Sequence, residues 1–183
     1  TIIDVGVEKG TDFLTNKFPH AKYYLIEANP IFYEYLQNDF LKKFKGKLFK
    51  SAAGNEIAKK YLFDSGPISS FYARDDYKFK DKKLVSILPL DIILKNEEVQ
   101  KNTLLKVDCE GGELDVLEGA SNILNIVSYV IVELRLQKIK TYNPSHLISY
   151  LFQKDFIWSS ILKIYYAKYG IDYIDILFVK KTK

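Results

Sequence analysis

Four short apolar runs, each closing at or beside a carboxylate, constrain this chain more than any other feature. They occur in TIIDVG, YYLIE, LLKVD and VIVE, and the acids are Asp4, Glu27, Asp108 and Glu133. Runs this short and this apolar suit central strands buried on both faces of a parallel sheet. Between them the spacing turns helical: over residues 10–18, through Phe32, Tyr35, Leu36, Phe40 and Leu41 behind Pro30, and through Glu113, Leu114, Leu117 and Glu118. Strands alternating with helices predict an α/β fold, a mostly parallel twisted sheet with helices on both faces. KLFKSAAG reads as a third strand, and KKYLFD with SSFYA as a small hairpin or irregular strands. A helix is expected over 144–153, with Pro144 in its first turn, and strands near 156–164 and 173–180. The last pair leaves no room for a crossover helix, so the final strand is expected to be antiparallel.

At 183 residues, without repeats or Gly/Ser/Pro-rich stretches, the chain is expected to form one domain over 1–183. It starts inside the first strand and contains no methionine, so a segment before Thr1 is expected to be missing. No apolar run reaches the roughly 18–20 residues that cross a bilayer, and no leader pattern opens the chain. Membrane insertion is not expected, and a cytoplasmic location is. Cys109 stands alone, which rules out an internal disulfide, and reads as a small buried strand residue. The net charge of +4 comes from scattered lysines, with only Arg74 and Arg135 as arginines. That is a solvated surface rather than a track for nucleic acid.

In an open parallel sheet, ligands sit beyond the carboxyl ends of the strands, so the four acidic ends define one rim. The first loop, DVGVEKG, spaces Gly6 and Gly10 as D-x-G-x-x-x-G, wider than the G-x-G-x-x-G that seats a pyrophosphate. A wider loop entered through Asp4 suits a nucleoside without phosphates, and S-adenosylmethionine is such a ligand. Glu27 follows Gly10 by 17 residues and can accept hydrogen bonds from both ribose hydroxyls. Ala28 and Asn29 follow Glu27 in the second loop, and Glu8 can either face the ligand's ammonium or, as an exposed loop residue, contact nothing. The purely structural alternative is that Asp4 and Glu27 cap helices and satisfy loop amides.

With these pieces joined, the chain resembles the FkbM-type S-adenosylmethionine-dependent methyltransferases. The resemblance rests on IIDVGVEKG, YLIEANP, SSFY, LPLDIIL, VIVEL, DILFVKK and above all LLKVDCEGGELDVLEGA. That last stretch meets a K-[VI]-D-x-E-G-x-E-x-x-V-L-x-G-A signature through Lys106, Asp108, Glu110, Gly111, Glu113, Val116, Leu117, Gly119 and Ala120. The resemblance implies a Rossmann-like class I methyltransferase fold of about seven strands. It also implies S-adenosylmethionine as cofactor and a hydroxyl acceptor on a sugar, polysaccharide or natural product. The chain departs from the family where it reads Val7-Glu8 for the usual Ala-Asn and Gly112 for the usual Ala.

Methyl transfer needs donor and acceptor aligned, and a hydroxyl acceptor needs a base within hydrogen-bond reach. Asp108 ranks first for that role, Glu110 second and Glu133 third, with Lys106 on the Asp108 face of its strand to hold or neutralise an acid. Glu113 is read as support for a helix N-terminus, and His20 and His146 as surface residues. No Cys/His spacing offers a metal site, and none is expected. The acceptor is expected to meet segments 64–83 and 134–143, where Phe71, Tyr72, Tyr77 and Tyr142 can stack on a sugar ring. Two other classes compete. One is a non-catalytic cofactor-binding accessory domain; the other is a nucleic-acid methyltransferase, against which DCEGG stands where N/D-P-P-Y/F would hold a base.

Overall fold

The computed structural model describes residues 1–64, 69–71, 81–136, 143–168 and 170–181. Tyr72, Tyr77 and Tyr142 lie outside them, as do Arg74 and much of the two segments expected to meet the acceptor. The strands are β1 (Ile2–Val5), β2 (Tyr23–Glu27), β3 (Gly46–Lys50), β4 (Ala52–Ala53), β5 (Ala58–Asp64), β6 (Asp81–Leu88), β7 (Leu104–Val107), β8 (Tyr129–Arg135), β9 (Phe156–Ala167) and β10 (Gly170–Lys180).

Seven of them form one sheet in the order β3-β2-β1-β7-β8-β10-β9. The five from β3 to β8 run parallel, and β10 lies antiparallel to both β8 and β9. Every residue of β1 and β2 is buried, as their unbroken apolar runs require. One face packs Leu14, Phe32, Leu36 and Phe40 against Ile2, Tyr23, Leu25 and Ile131; the other packs Leu90, Val116, Leu117, Leu147 and Leu151 against Ile3, Leu105 and Val130. The strand order reverses between β1 and β7, which opens a crevice at their carboxyl ends.

The structure departs from the sequence expectations at the second sheet, a three-stranded β4-β6-β5 unit. KLFKSAAG is not one strand. It leaves the main sheet after Lys50 and passes buried Ser51, and Ala52–Ala53 pair with Ile87–Leu88. KKYLFD pairs along its length with β6, and of SSFYA the described Ser70 makes an antiparallel bridge to Phe63, while Tyr72 and Ala73 lie outside the described residues. The strand DKKLVSIL escapes a pattern search because only Val85 and Ile87 turn inward while its lysine-rich start is solvated. The closing hairpin is longer than the expected strands, at Phe156–Ala167 and Gly170–Lys180, with register shifts that bend it. The helix after Pro30 runs over 30–43 and is π-wound at Leu36–Phe40. In LPLDIIL, Asp91 caps the helix Ser121–Ile126 by accepting from the amides of Asn122 (2.9 Å) and Ile123 (3.0 Å). No helix among the described residues is long and apolar enough to cross a membrane.

Candidate active site

The rim is built from the first loop outward. Gly6 has φ +78°, and a Cβ there would lie 1.7 Å from the carbonyl oxygen of Asp108. Only glycine lets the β1 loop lie flat on the end of β7. Gly10, at φ +107°, faces the Phe40 ring, which a Cβ would meet at 2.6 Å. Between them Glu8 holds φ +55°, an uncommon conformation for a residue with a side chain. Its amide donates to Glu27 Oε2 (2.8 Å), while the amide of Asn29 donates to Glu27 Oε1 (2.6 Å). Glu27 thus ties the β1 and β2 loops together. Burial pushes its carboxyl up, and the amides of Asn29, Glu8, Val7 and Ala28 oppose that. Asn29 carries the connection on: its Oδ1 accepts from the amide of Ile31 (3.2 Å), and its Nδ2 donates to Ser69 Oγ beside the second sheet (3.0 Å).

Asp4 lies below the rim, 1% exposed, where Thr11 Oγ1 donates to its Oδ2 (2.9 Å) and Lys106 Nζ stands 3.5 Å from its Oδ1. Lys106 also donates to Asp108 Oδ2 (3.1 Å), so one buried ammonium serves both acids. Burial alone would lower the Lys106 pKa, yet Asp4 and Asp108 hold it raised. Beyond β7 the chain turns through Glu110 (φ +51°) and Gly111 (φ +101°). Buried Glu113 secures that turn by accepting from the amides of Cys109 and Gly111, both at 3.0 Å. Its expected role of supporting a helix start is therefore joined by that of a loop anchor. Cys109 is only partly buried and lines the cavity, not the interior of a strand as expected; burial holds its thiol up and protonated.

Glu110 ion-pairs with Arg135, whose guanidinium also stands 3.4 Å from Glu133 Oε1. Asp108, Glu110 and Glu133 each offer an oxygen within 4.8 Å of the others. Arg135 and Lys106 set two cationic side chains beside this group of acids. Glu133 is 6% exposed and its Oε1 accepts no hydrogen bond. Burial first, then Asp108 and Glu110, raise its pKa well above the usual carboxylate range.

These groups surround one cavity of about 250 Å³ at the carboxyl ends of β1, β2, β7 and β8. Gly6, Glu8, Glu27, Ala28 and Asn29 line it on the β1–β2 side, and Asp108, Glu110 and Glu133 on the β7–β8 side. Asp4 and Gly10 are not in its wall. Phe71 is. His20 and His146 are exposed and take no part in it. Among the lining residues that escape the sequence reading are Tyr165 and Tyr173, which pair across the hairpin with stacked rings 3.9 Å apart. Their signal lies in cross-strand register, which the sequence leaves open. The wall carries five carboxylates and, among the described residues, no lysine or arginine. That donor set suits a ligand with cationic groups.

Residues 4–158 match the methyltransferase FkbM domain. The chain belongs to the FkbM methyltransferase family. A stretch of 74 residues, 39% of this chain and 30% of the relative, is 36% identical to the hexuronic acid methyltransferase AglP of Haloferax volcanii. The FkbM methyltransferase of Methylobacillus flagellatus superposes with a TM-score of 0.56 at 15% identity, over 96% of this chain and 43% of that one. The chain therefore spans less than half the length of that relative. Magnesium protoporphyrin IX methyltransferase from Synechocystis, solved with bound S-adenosylmethionine, superposes with a TM-score of 0.57 at 7% identity, over 98% of this chain and 69% of that one. The sheet is that of a class I methyltransferase. The FkbM methyltransferases use S-adenosylmethionine.

Proposed function

We propose that the chain is an S-adenosylmethionine-dependent O-methyltransferase whose acceptor is a sugar hydroxyl. The observation that carries this reading is the convergence of the β1, β2, β7 and β8 ends on a single acid-lined cavity. The likeness to a hexuronic acid methyltransferase supports the sugar acceptor.

Glu27 receives the ribose hydroxyls while its amide bonds to Glu8 and Asn29 fix its position. Gly6 gives its backbone to the adenosyl side, with Ala28 and Asn29 beside it. Glu8 faces the ammonium. Asp4 acts from below, together with Thr11, by holding Lys106 and through it Asp108. Bound S-adenosylmethionine supplies an electrophilic methyl group and a sulfur leaving group. Asp108, about a third exposed at the cavity, takes the acceptor's hydroxyl proton as the new O–C bond forms. Glu110, held by Arg135, is the second candidate for that proton, and Glu133 the third. Alignment of acceptor and donor by these walls contributes roughly 7–11 kcal/mol when the geometry is near attack.

The test is transfer of labelled methyl from S-adenosylmethionine to oligosaccharides bearing neutral hexoses or hexuronic acids. Asp108→Asn is expected to cut the rate by about 10²–10⁴-fold while S-adenosylhomocysteine still binds. Transfer at the wild-type rate by that variant would remove Asp108 from the role, and absence of transfer to either class would count against a sugar acceptor.

A further inference from the structure

The acids of the cavity continue into the sheet. Val107 pairs with Val132, and one step further Asp108 meets Glu133, their carboxylate oxygens within 4.8 Å. Glu133 is directly opposite Asp175 of β10, and Asp175 is directly opposite Lys163 of β9. Residues opposed in a sheet share a face, with Cβ atoms about 4.5–5.5 Å apart. Asp108, Glu133, Asp175 and Lys163 therefore form one row across four strands, from the cavity toward the open edge at β9. The sequence hides this row, because DYIDILF reads as an ordinary strand whose acids, Asp172 and Asp175, have no visible cross-strand partners.

We propose that Asp108, Glu133 and Asp175 share protons along this row, and that Asp175 passes the proton of the methyl acceptor out to solvent. The inference rests on the methyl-transfer reading of the cavity. In the balanced step the acceptor's O–H bond breaks as its O–CH3 bond forms. The S–CH3 electron pair stays on sulfur, the proton goes to Asp108, and from there it moves through Glu133 and Asp175 to water. Asp175 is a positioning and relay residue, not one that touches the acceptor.

Three features fit a relay. Glu133 Oε1 is buried and accepts no hydrogen bond, so it is open to a proton from Asp108 as the carboxyl hands its own on. Asp175 is only partly buried, which gives the row a wet end. Burial, with Asp108 next and Lys106 and Lys163 opposing, brings Asp175 to about 6, near the range where a carboxyl both gains and gives protons at working pH. The other charged groups facing the row are Lys106 and Asp4 from the β7–β1 side, Glu110 from the turn, Glu113 from the helix after it, and Arg135 one residue pair along β8, under the Tyr173 ring (5.2 Å) and near Asp172.

The test needs no acceptor. S-adenosylmethionine and S-adenosylhomocysteine differ by the sulfonium charge, which favours ionised carboxylates. Calorimetry of both at pH 6, in buffers of different ionisation heat, reads the protons released on binding. An excess release is expected for S-adenosylmethionine, drawn from the protonated carboxyls of the row, Glu133 and Asp175. Asp175→Asn should diminish that excess, and Lys163→Gln should move Asp175's share of it to higher pH while leaving S-adenosylhomocysteine affinity unchanged. Equal proton release for the two ligands, or an undiminished excess in a folded Asp175→Asn, would overturn the relay. Failure of either ligand to bind would instead overturn the cavity reading beneath it.

Discussion

Gly6 and Glu113 do different work on the same turn. Gly6 lets one loop touch the carbonyl of Asp108, and Glu113 ties the next loop by two amides. A Gly6→Ala chain must carry a Cβ at φ +78° into a backbone oxygen, so a loss of about 1–3 kcal/mol is expected in urea unfolding. Glu113→Ala leaves two amide donors without their acceptor inside the protein, also about 1–3 kcal/mol by the same measurement. Asp175 supplies a pH signature. Its folded pKa, about 6, lies above its ordinary 3.8, so its contribution favours folding at low pH and is lost as pH rises from about 4 through 6. Asp175→Asn should therefore be more stable than the parent at pH 7, on the order of 1 kcal/mol after allowance for partial exposure, with no gain near pH 3.5. A gain that is the same at both pH values would contradict this assignment.

Elements set which of these residues meet. The parallel core was legible in the sequence because short apolar runs leave β1, β2, β7 and β8 few alternatives, and β7 occupies Leu104–Val107 as its pattern requires. The second sheet was not, since β6 is half lysine at its start and β4 is two residues long, too short for a period. The same limit applies to the site. Acids at strand ends can be read from the sequence, whereas Tyr165, Tyr173 and Asp175 enter through the register of a bulged hairpin. One link from the main sheet toward the second runs through Asn29, which caps the turn Pro30–Phe32 and reaches Ser69. Asn29→Ala is expected to cost about 1–2 kcal/mol through the lost cap, read as a lower urea midpoint, with weaker cofactor binding because Glu27 then sits on a looser loop.

At the scale of the molecule, a basic chain presents an acidic cleft. The net charge is +4, yet the described cavity wall holds carboxylates and no lysine or arginine. Cationic S-adenosylmethionine should accordingly weaken with rising salt more steeply than neutral-sulfur S-adenosylhomocysteine, measured as the slope of log Kd against salt from 0.05 to about 0.5 M, where screening lengths fall from roughly 14 to 4 Å. The shared sheet leaves the acceptor open, since a solved structure of similar fold is a magnesium protoporphyrin IX methyltransferase and a sequence relative a hexuronic acid methyltransferase. The central claim is narrower: the ends of β1, β2, β7 and β8 make one adenosyl pocket with Glu27 at its ribose end. Calorimetric titration of S-adenosylhomocysteine into the parent and into Glu27→Ala tests it most directly. The account predicts saturable binding by the parent and a loss of at least about 10-fold in a variant that keeps its fold, as expected for a charge-assisted bidentate contact. Equal affinity in the two proteins would contradict it.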